Sequence, residues 1–340
     1  MKKLRVLTLM HEDLVPPENM DGVDLATVEW KTEFDVISTL REMGHEVKPV
    51  GVRDELDVIR DAVDEFKPHI AFNLLEEFNG FGGFDQNVVS YLELVGVPYT
   101  GCNPRGLVLT RDKGWSKKIL SYHGILCPEF VVFPLGRSVR WTNDIPYPVI
   151  VKSISEEASL GISQASIVDD PEKLEERVKF IHESIGSSAI VEQFIKGREL
   201  YVGVLGNQRL QVFPIWELIM KHMPDDVHQV ATQRVKWSVK YQKKYGITSQ
   251  AAKGLSKAMT DKIQQLAKKA YRILGLNGYA RLDFRLDENE NVYFLEANPN
   301  AQIAFGEDLT ESAECAGLSY EGFLQKVLNL GMRWKPDAVR

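Results

Sequence analysis

The stretch ARLDFRLDENENVYFLEANPN, residues 280–300, alternates apolar and polar side chains on both sides of a polar run at 288–291. Alternation of this kind around a short polar run is typical of a β-hairpin. Side chains at positions i and i+2 of a strand project from the same face of a sheet. One face of the predicted hairpin therefore carries a cation, two carboxylates and an amide, namely Arg281, Asp283, Glu296 and Asn298.

The pairing of the two arms decides which of these side chains meet. If residues 288–291 form the loop, Asp287 pairs with Val292. Counting back along the arms then places Asp283 opposite Glu296, and Arg281 opposite Asn298. Two carboxylates side by side repel each other unless a positive group lies between them. A hard divalent cation with oxygen ligands is the natural candidate, although a solvated strand face could carry the same residues.

The composition is that of a soluble globular protein with room for two or three domains: 340 residues, 44% hydrophobic and 26% charged. A formal charge of −7 and a pI near 5.6 argue against binding to nucleic acid or to an anionic membrane. No apolar run has the length of a membrane span, and the opening MKKLRVLTLM is better explained as a buried strand than as a signal peptide. Three scattered cysteines, Cys102, Cys127 and Cys315, indicate a reducing compartment, so we expect a cytoplasmic protein.

Three segments of the chain differ in pattern. Residues 1–101 alternate strands with helices, from LRVLTLM to VPYTG, which predicts a parallel α/β sheet with functional residues near 10–12 and 75–77. Residues 102–192 predict a small α+β unit, in which one helix spans residues 111–122 and YPVIVKSI pairs with ISQASIV. Residues 193–340 open with strands and lead through a lysine-rich section to a long helix, the hairpin and a final helix.

Two further stretches suit a nucleotide. Lys152 ends the apolar strand of PVIVKSISEEASLGIS, and the small polar residues after it offer backbone N–H groups to phosphate oxygens. In AIVEQFIKGRELYV, Glu192 and Glu199 flank a bend where the backbone could bond an adenine edge and Glu199 could bond ribose hydroxyls. Each residue taken singly, like Lys113 in TRDKGWSKK, would more often be an ordinary surface residue.

Taken in order, the strand-ending lysine, the small-residue loop, VEQF…GRE and the R-x-D…E-x-N hairpin resemble the ATP-grasp superfamily, and most closely its D-alanine–D-alanine ligase-like branch. The resemblance extends over nearly the whole chain, from YLELVGVPYTG to AECAGLSYEGFLQKVL. It implies three ATP-grasp domains: an N-terminal α/β domain at 1–101, a central subdomain at 102–192 and a C-terminal subdomain with the metal hairpin at 193–340. It also implies ATP and two Mg²⁺ ions as cofactors, with Mn²⁺ able to replace Mg²⁺, and a homodimer.

The resemblance assigns roles to individual residues. The phosphate-binding positions match Lys113, Lys152 and a loop at 155–161 that contains Ser159. The nucleoside-binding positions match Glu192, Phe194 and Ile195 for adenine and Glu199 for ribose. The magnesium ligands match Asp283, Glu296 and Asn298, with Glu296 bridging the two ions. Arg281 matches the arginine that stabilises the tetrahedral intermediate, and Lys240 with Tyr241 matches a Lys-Tyr pair on a mobile loop.

In that branch a carboxylate is phosphorylated by ATP, an amine attacks the acyl phosphate, and an amide or peptide bond remains. The implied partners are therefore a small-molecule carboxylate and an amine. The substrate-facing positions depart from the pattern of D-alanine ligases. Their Gly-Gly-x-Ser loop and Glu-Val-Ser signature are replaced by LMHEDLVPPENMDGVDLATVEW, and their histidine-glycine stretch by NLLEEFNGFGG. A gapless count places Glu307 at the serine that binds the second substrate's carboxylate.

These departures predict a ligase that does not join two D-alanines, because Glu307 would repel a substrate carboxylate by roughly 1 to 4 kcal/mol at about 4 Å. The alternatives are a divergent D-alanine–D-alanine ligase and a non-catalytic nucleotide-binding protein. The second is disfavoured because a pure binder needs no oxyanion partner such as Arg281. We also expect that Glu76, Glu77 or Glu307 faces a cationic or amine-rich substrate group, with solvated loop acids as the alternative.

Overall fold

The computed structural model describes residues 3–25, 28–141, 144–155, 162–224 and 227–336, whose strands form three sheets. The sheets follow the three segments distinguished in the sequence, except that the strand Ala189–Gln193 extends one residue past the boundary at 192. The first sheet is parallel, and the other two are antiparallel. The predicted combination of a parallel α/β unit with α+β units is therefore confirmed. No helix among the described residues has the length and apolar character needed to cross a membrane.

The N-terminal sheet has the strand order β2-β1-β3, with β1 (Arg5–His11), β2 (Glu46–Val52) and β3 (Ile70–Asn73). The helices are α1 (Lys31–Glu42), α2 (Asp57–Phe66) and α3 (Asp85–Leu94). Five consecutive residues of β1 are buried, as expected for the central strand of a parallel sheet covered on both faces. VPYTG, which the pattern predicts as a strand, contributes only an isolated bridge between Tyr99 and Ala71.

The central segment begins with two helices, α4 (Pro104–Arg111) and α5 (Lys113–Tyr122), where the sequence predicts one. The break falls at Asp112, whose extended backbone ends α4. Its carboxylate accepts a hydrogen bond from the Trp115 backbone N at 2.8 Å and so caps α5. This N-cap fixes the start of the helix that carries Lys113.

The small sheet has the order β4-β7-β5-β6, with β4 (Phe130–Phe133), β5 (Val149–Ser153), β6 (Ile167–Val168) and β7 (Ala189–Gln193). β5 pairs with β6 as predicted. One face packs against α6 (Pro171–Phe180) through Val149, Val151, Val191, Leu174 and Val178. Because side chains alternate, Ile150, Lys152 and Glu192 project from the opposite face.

The large sheet has the order β11-β10-β8-β12-β13, with β9 beside β8. Its strands are β8 (Arg198–Leu205), β9 (Gln211–Val212), β10 (Trp216–Met220), β11 (Ile247–Ala251), β12 (Tyr279–Leu286) and β13 (Val292–Pro299). The helices of this segment are α7 (Gln233–Trp237), α8 (Val239–Tyr245), α9 (Lys257–Ile273), α10 (Asp308–Cys315) and α11 (Tyr320–Arg333). β12 therefore lies between β8 and β13, at the middle of the polar face considered next.

Two apolar cores join the N-terminal sheet to the large sheet. One includes Leu9 of β1 and Leu282 of β12, and the other includes Val36 of α1 and Phe323 of α11. The small sheet has a separate core, which lies on its side facing α6. From the other face, Lys152 interacts electrostatically with Glu296 of the β12–β13 hairpin.

Candidate active site

The β12–β13 hairpin brings together the four side chains singled out in the sequence. Arg281 pairs with Asn298 and Asp283 pairs with Glu296, as predicted. Arg281 donates from Nε to Asp283 Oδ1 at 2.8 Å and from Nη2 to Asp283 Oδ2 at 2.9 Å. Asn298 Nδ2 donates to the same Oδ2 at 3.1 Å. Burial raises the pKa of Asp283, although the Arg281 guanidinium acts against this shift.

The observed turn of the hairpin differs from the turn that was assumed when those pairs were predicted. Leu286, not Asp287, pairs with Val292. A β-bulge then leaves Leu295 without a partner residue on β12, which shifts the register by one before Glu296 is reached. The predicted pairs are therefore right because the misplaced turn and the unforeseen bulge offset each other.

Glu296 lies in positive surroundings. Its Oε2 is 3.8 Å from the Lys113 ammonium. Burial alone would raise the pKa of Glu296, but Lys113, Lys236 and Lys152 outweigh burial and lower it. The carboxylate therefore stays ionised and faces three lysines that could also meet phosphate oxygens. Lys236 belongs to α7 and is absent from the sequence-based assignments, because nothing in the lysine-rich section distinguishes it from its neighbours.

A second buried carboxylate, Glu192, lies between two lysines. Lys152 Nζ donates to Glu192 Oε2 at 3.0 Å, and Lys117 Nζ lies 3.3 Å from Oε1. Burial would raise the pKa of Glu192, yet these lysines lower it. Lys117 is fully buried and also donates to the carbonyl of Leu295, the bulge residue. It therefore joins α5, the small sheet and the hairpin.

Lys117 is a residue that the sequence reasoning missed, although a signal was present. It follows Lys113 by four positions on one helix, so both side chains lie on the same helical face. The carboxylate of Glu192 is used to hold lysines in this structure. Its predicted adenine contact would have to come from the backbone of β7, and it stays a prediction.

The predicted ribose carboxylate, Glu199, is also held by partners. Tyr201 OH donates to Glu199 Oε1 at 2.9 Å, and Arg285 Nη2 donates to Oε2 at 2.5 Å. The bend after β7 that contains Phe194 and Ile195 lies beside this pair, with Arg285 Cζ 5.6 Å from the Phe194 ring centroid. Arg285 is a second missed residue, and the period-two pattern of Arg281 and Asp283 continues directly to it.

The donor atoms at the hairpin fit magnesium. Asp283, Glu296 and Asn298 supply carboxylate and amide oxygens, the hard ligands that Mg²⁺ takes together with water and phosphate oxygens. Within the described ranges, no cluster of three or more His, Cys, Asp and Glu side chains could hold a metal. A set of two carboxylates and one amide is therefore too small to enclose an ion, and suits one that arrives with nucleotide phosphates.

For three other predicted residues the described contacts test no role. Ser159, like the other residues at 156–161, lies outside the described residues. Lys240 on α8 is exposed, and Tyr241 packs against the apolar cluster of Met220, Val235 and Ile247, with its ring centroid 4.6 Å from that of Tyr245. The described contacts of Lys240 and Tyr241 include no hydrogen bond or ion pair to the hairpin side chains, so their roles stay predictions.

The chain after the hairpin is tied to the first helix. Lys31 Nζ donates to the Phe305 carbonyl at 2.8 Å, and Asp35 Oδ2 accepts from the Phe305 backbone N at 2.9 Å. Glu307 follows, half-buried, at the N-terminus of α10. Burial raises the pKa of Glu307, while Lys31 and Arg281 act in the opposite direction. Glu307 is thus close enough to Arg281 for their charges to interact.

The strand ends of the N-terminal sheet carry the other acids considered in the sequence. Glu77 Oε1 lies 3.5 Å from His11 Nε2, which joins the ends of β3 and β1 as expected for a parallel sheet. Glu76 is exposed.

Comparison with known proteins places these features in a family. The family model described as "D-ala D-ala ligase C-terminus" matches residues 120–329. The D-alanine–D-alanine ligase of Desulforudis audaxviator is 30% identical over 302 residues, which cover 87% of this chain and 90% of that protein. The uncharacterised protein y4sG of Sinorhizobium fredii is 29% identical over 307 residues, covering 88% of this chain and 86% of that protein.

A solved structure shares the fold. The D-alanine–D-alanine ligase from Bacillus anthracis complexed with ATP aligns with a TM-score of 0.75 at 21% identity, over 97% of this chain and 98% of that chain. The family model covers more than half of the present chain. This protein therefore belongs to the D-alanine–D-alanine ligase family and is an ATP-dependent, ADP-forming ligase with the ATP-grasp fold.

Proposed function

We propose that this ligase joins a carboxylate to an amine through an acyl phosphate, and that its substrates are not two molecules of D-alanine. Lys113 and Lys152 hold the nucleotide phosphates, and Ser159 belongs to the loop that covers them. The nucleoside is bound by Glu199 and by the backbone of Glu192, Phe194 and Ile195. Three domains, at 1–101, 102–192 and 193–340, surround this site, and Lys240 with Tyr241 belongs to the loop that closes it. A homodimer is the proposed assembly.

The residues of the hairpin have different proposed roles in the reaction. Asp283, Glu296 and Asn298 hold Mg²⁺, which when bound neutralises the transferring phosphoryl group; we propose two ions, with Mn²⁺ able to replace them. Glu296 is ionised before nucleotide arrives, because the lysines around it lower its pKa. Arg281 is held beside this set by Asp283 and stabilises the oxyanion that forms when the amine attacks. Phosphate then leaves and the amide bond remains.

One observation carries the proposal about substrate. Glu307 is half-buried just after the hairpin and interacts electrostatically with Arg281, the proposed oxyanion partner. A carboxylate at this place favours an acceptor with a cationic group or one without a free carboxylate. Its interaction with an acceptor carboxylate at about 4 Å would be unfavourable by about 1 kcal/mol if well solvated, and by more if desolvated.

The test is a screen for phosphate release with ATP, Mg²⁺ and pools of carboxylates and amines, followed by mass spectrometry of the products. Glu307→Ser should raise the KM of a cationic acceptor at least about fivefold and lower that of a simple amino acid. Glu314→Ser, an exposed position on the same helix, is the matched control and should change neither value. An unchanged KM in Glu307→Ser with a neutral or acidic acceptor would refute the cationic pocket.

The second candidate is D-alanine–D-alanine ligation itself. It is favoured by the names of the curated relatives, several of which are 28–30% identical to this chain. The same phosphate-release assay distinguishes the two candidates when D-alanine is the sole amino acid. Formation of D-alanyl-D-alanine at a rate matching the best substrate of the screen would select this second candidate.

A further inference from the structure

Arg285 is the most heavily hydrogen-bonded side chain on the polar face of the large sheet. It lies on β12 opposite Glu199 of β8, and its side chain is 5% exposed. Nη2 donates to Glu199 Oε2 at 2.5 Å and to the Gln229 carbonyl at 2.9 Å. Nη1 donates to the carbonyls of Gly197 and Ile195 at 3.2 and 3.4 Å. One guanidinium thus binds the carboxylate and three backbone carbonyls.

The acceptors belong to two separate stretches that flank the proposed nucleoside site. Ile195 and Gly197 lie in the bend between β7 and β8, and Gln229 precedes α7. The bend itself is packed tightly on β12. Gly197 has φ +142°, and a Cβ at this position would lie 2.1 Å from the Leu286 carbonyl oxygen. Arg285 therefore anchors a bend whose backbone has little room to move.

The planar guanidinium suits this arrangement. Its donors point along fixed directions in one plane, so it can hold several acceptors in a defined geometry at once. A lysine at the same position would carry the charge but could not reproduce the fork. Removal of Arg285 would leave Glu199 with the Tyr201 hydroxyl as its hydrogen-bond partner among the described side chains, and would release three carbonyls.

We propose that Arg285 is a positioning residue for the nucleoside part of the bound nucleotide, and that it acts by fixing Glu199 and the bend at 194–197. This inference rests on the proposed function, in which Glu199 binds ribose and the bend binds the base. Arg285 itself contacts neither phosphate nor metal in this scheme. Its effect should therefore be confined to the adenosine moiety.

The test is calorimetric binding of two probes to the full chain: adenosine, and inorganic tripolyphosphate with Mg²⁺. Arg285→Met should weaken adenosine binding about tenfold or more and leave tripolyphosphate binding within about twofold of the wild type. The KM for ATP should rise with the adenosine Kd while kcat changes little. An adenosine Kd that is unchanged in Arg285→Met, or an equal loss for both probes, would overturn the proposal.

Arg198→Met is the matched control. Arg198 is one position before Glu199 on β8, so its side chain lies on the other face of the sheet. It makes a comparable pair with Glu217, at 2.7 and 2.6 Å, and donates to the Lys253 carbonyl at 2.7 Å. Its replacement should lower the melting temperature without changing the adenosine Kd. Equal weakening of adenosine binding in both variants would mean that Arg285 acts only through general stability.

Arg285→Lys keeps the test decisive if the methionine variant does not fold. The lysine retains the charge opposite Glu199 and loses the contacts to the carbonyls, so we expect a folded protein that binds adenosine at least about threefold more weakly. Wild-type affinity in this variant would overturn the proposal. Failure of the wild type to bind either probe would instead refute the proposed function, and this inference with it.

Discussion

Replacement of Lys117 by methionine tests how the site is held together. Methionine keeps the length and the apolar stem of the side chain but removes the charge and the hydrogen-bond donors. Lys117 is fully buried, so its charge and its hydrogen bond lie out of contact with solvent. Glu192 Oε1 would lose the ammonium at 3.3 Å and keep only Lys152 on Oε2 at 3.0 Å. The Leu295 carbonyl would lose its donor at the bulge.

The expected size of this effect follows from the two losses. Removing one partner of a buried ion pair costs about 3 to 5 kcal/mol, and leaving a buried carbonyl unpaired costs about 1 to 3 kcal/mol. Lys152 still neutralises Glu192, so we expect the lower part of the combined range. The free energy of unfolding should fall by about 4 to 5 kcal/mol.

Urea denaturation without nucleotide or Mg²⁺ measures this change. Lys118→Met is the matched control, because it makes the same substitution one residue later at an exposed position and should change stability by less than about 0.5 kcal/mol. A loss in Lys117→Met no larger than that in Lys118→Met would refute the reasoning.

Other variants test the metal site, the phosphate site and a buried acid. Glu296→Gln should abolish turnover while the fold stays intact, because one charge of the proposed metal site is lost; near-normal turnover at limiting Mg²⁺ would count against that site. Lys113→Ala and Lys152→Ala should each weaken binding of ATP more than of adenosine, and equal losses in calorimetry would mean that the lysines act through folding. Glu33 on α1 is buried, and burial raises its pKa from 4.5 to about 7. The folded state therefore keeps a proton that the unfolded state has released, so stability should fall as pH rises from about 4.5 to about 7. Glu33→Gln should remove this pH dependence, and its free energy of unfolding at about pH 8 should exceed that of the wild type by up to about 3 kcal/mol. An equal gain in the free energy of unfolding at about pH 5 would mean that ionisation of Glu33 is not the cause.

The hairpin shows what the sequence can predict and why. Alternation of Arg281, Asp283, Glu296 and Asn298 fixes the face on which they lie, because the side-chain period of a strand is two. The sequence predicted neither the position of the turn nor the presence of the bulge. A bulge depends on what the extra residue's backbone bonds to, and here the Leu295 carbonyl accepts from Lys117, which is far away in sequence.

The missed residues have a common physical basis. Lys117 and Arg285 are buried cations, and a sequence gives no direct sign that a lysine or arginine is buried rather than solvated. Their burial depends on carboxylates from other strands, Glu192 and Glu199. Lys236 was missed for another reason. It interacts with Glu296 because of the course that the chain takes between β10 and β11, which the sequence pattern does not predict. Predictions from local pattern succeed for strands and helices and fail for such long-range pairs.

The attachment of Phe305 to α1 has a consequence for recombination between relatives. Both polar backbone groups of Phe305 are bound by side chains that lie about 270 positions earlier, Lys31 and Asp35. A chimera that takes its first helix from one parent and its C-terminal half from another would separate these partners, although the crossover falls between intact sheets. Shuffled libraries built on this chain should therefore keep Lys31 and Asp35 together with the segment whose backbone they bind at Phe305.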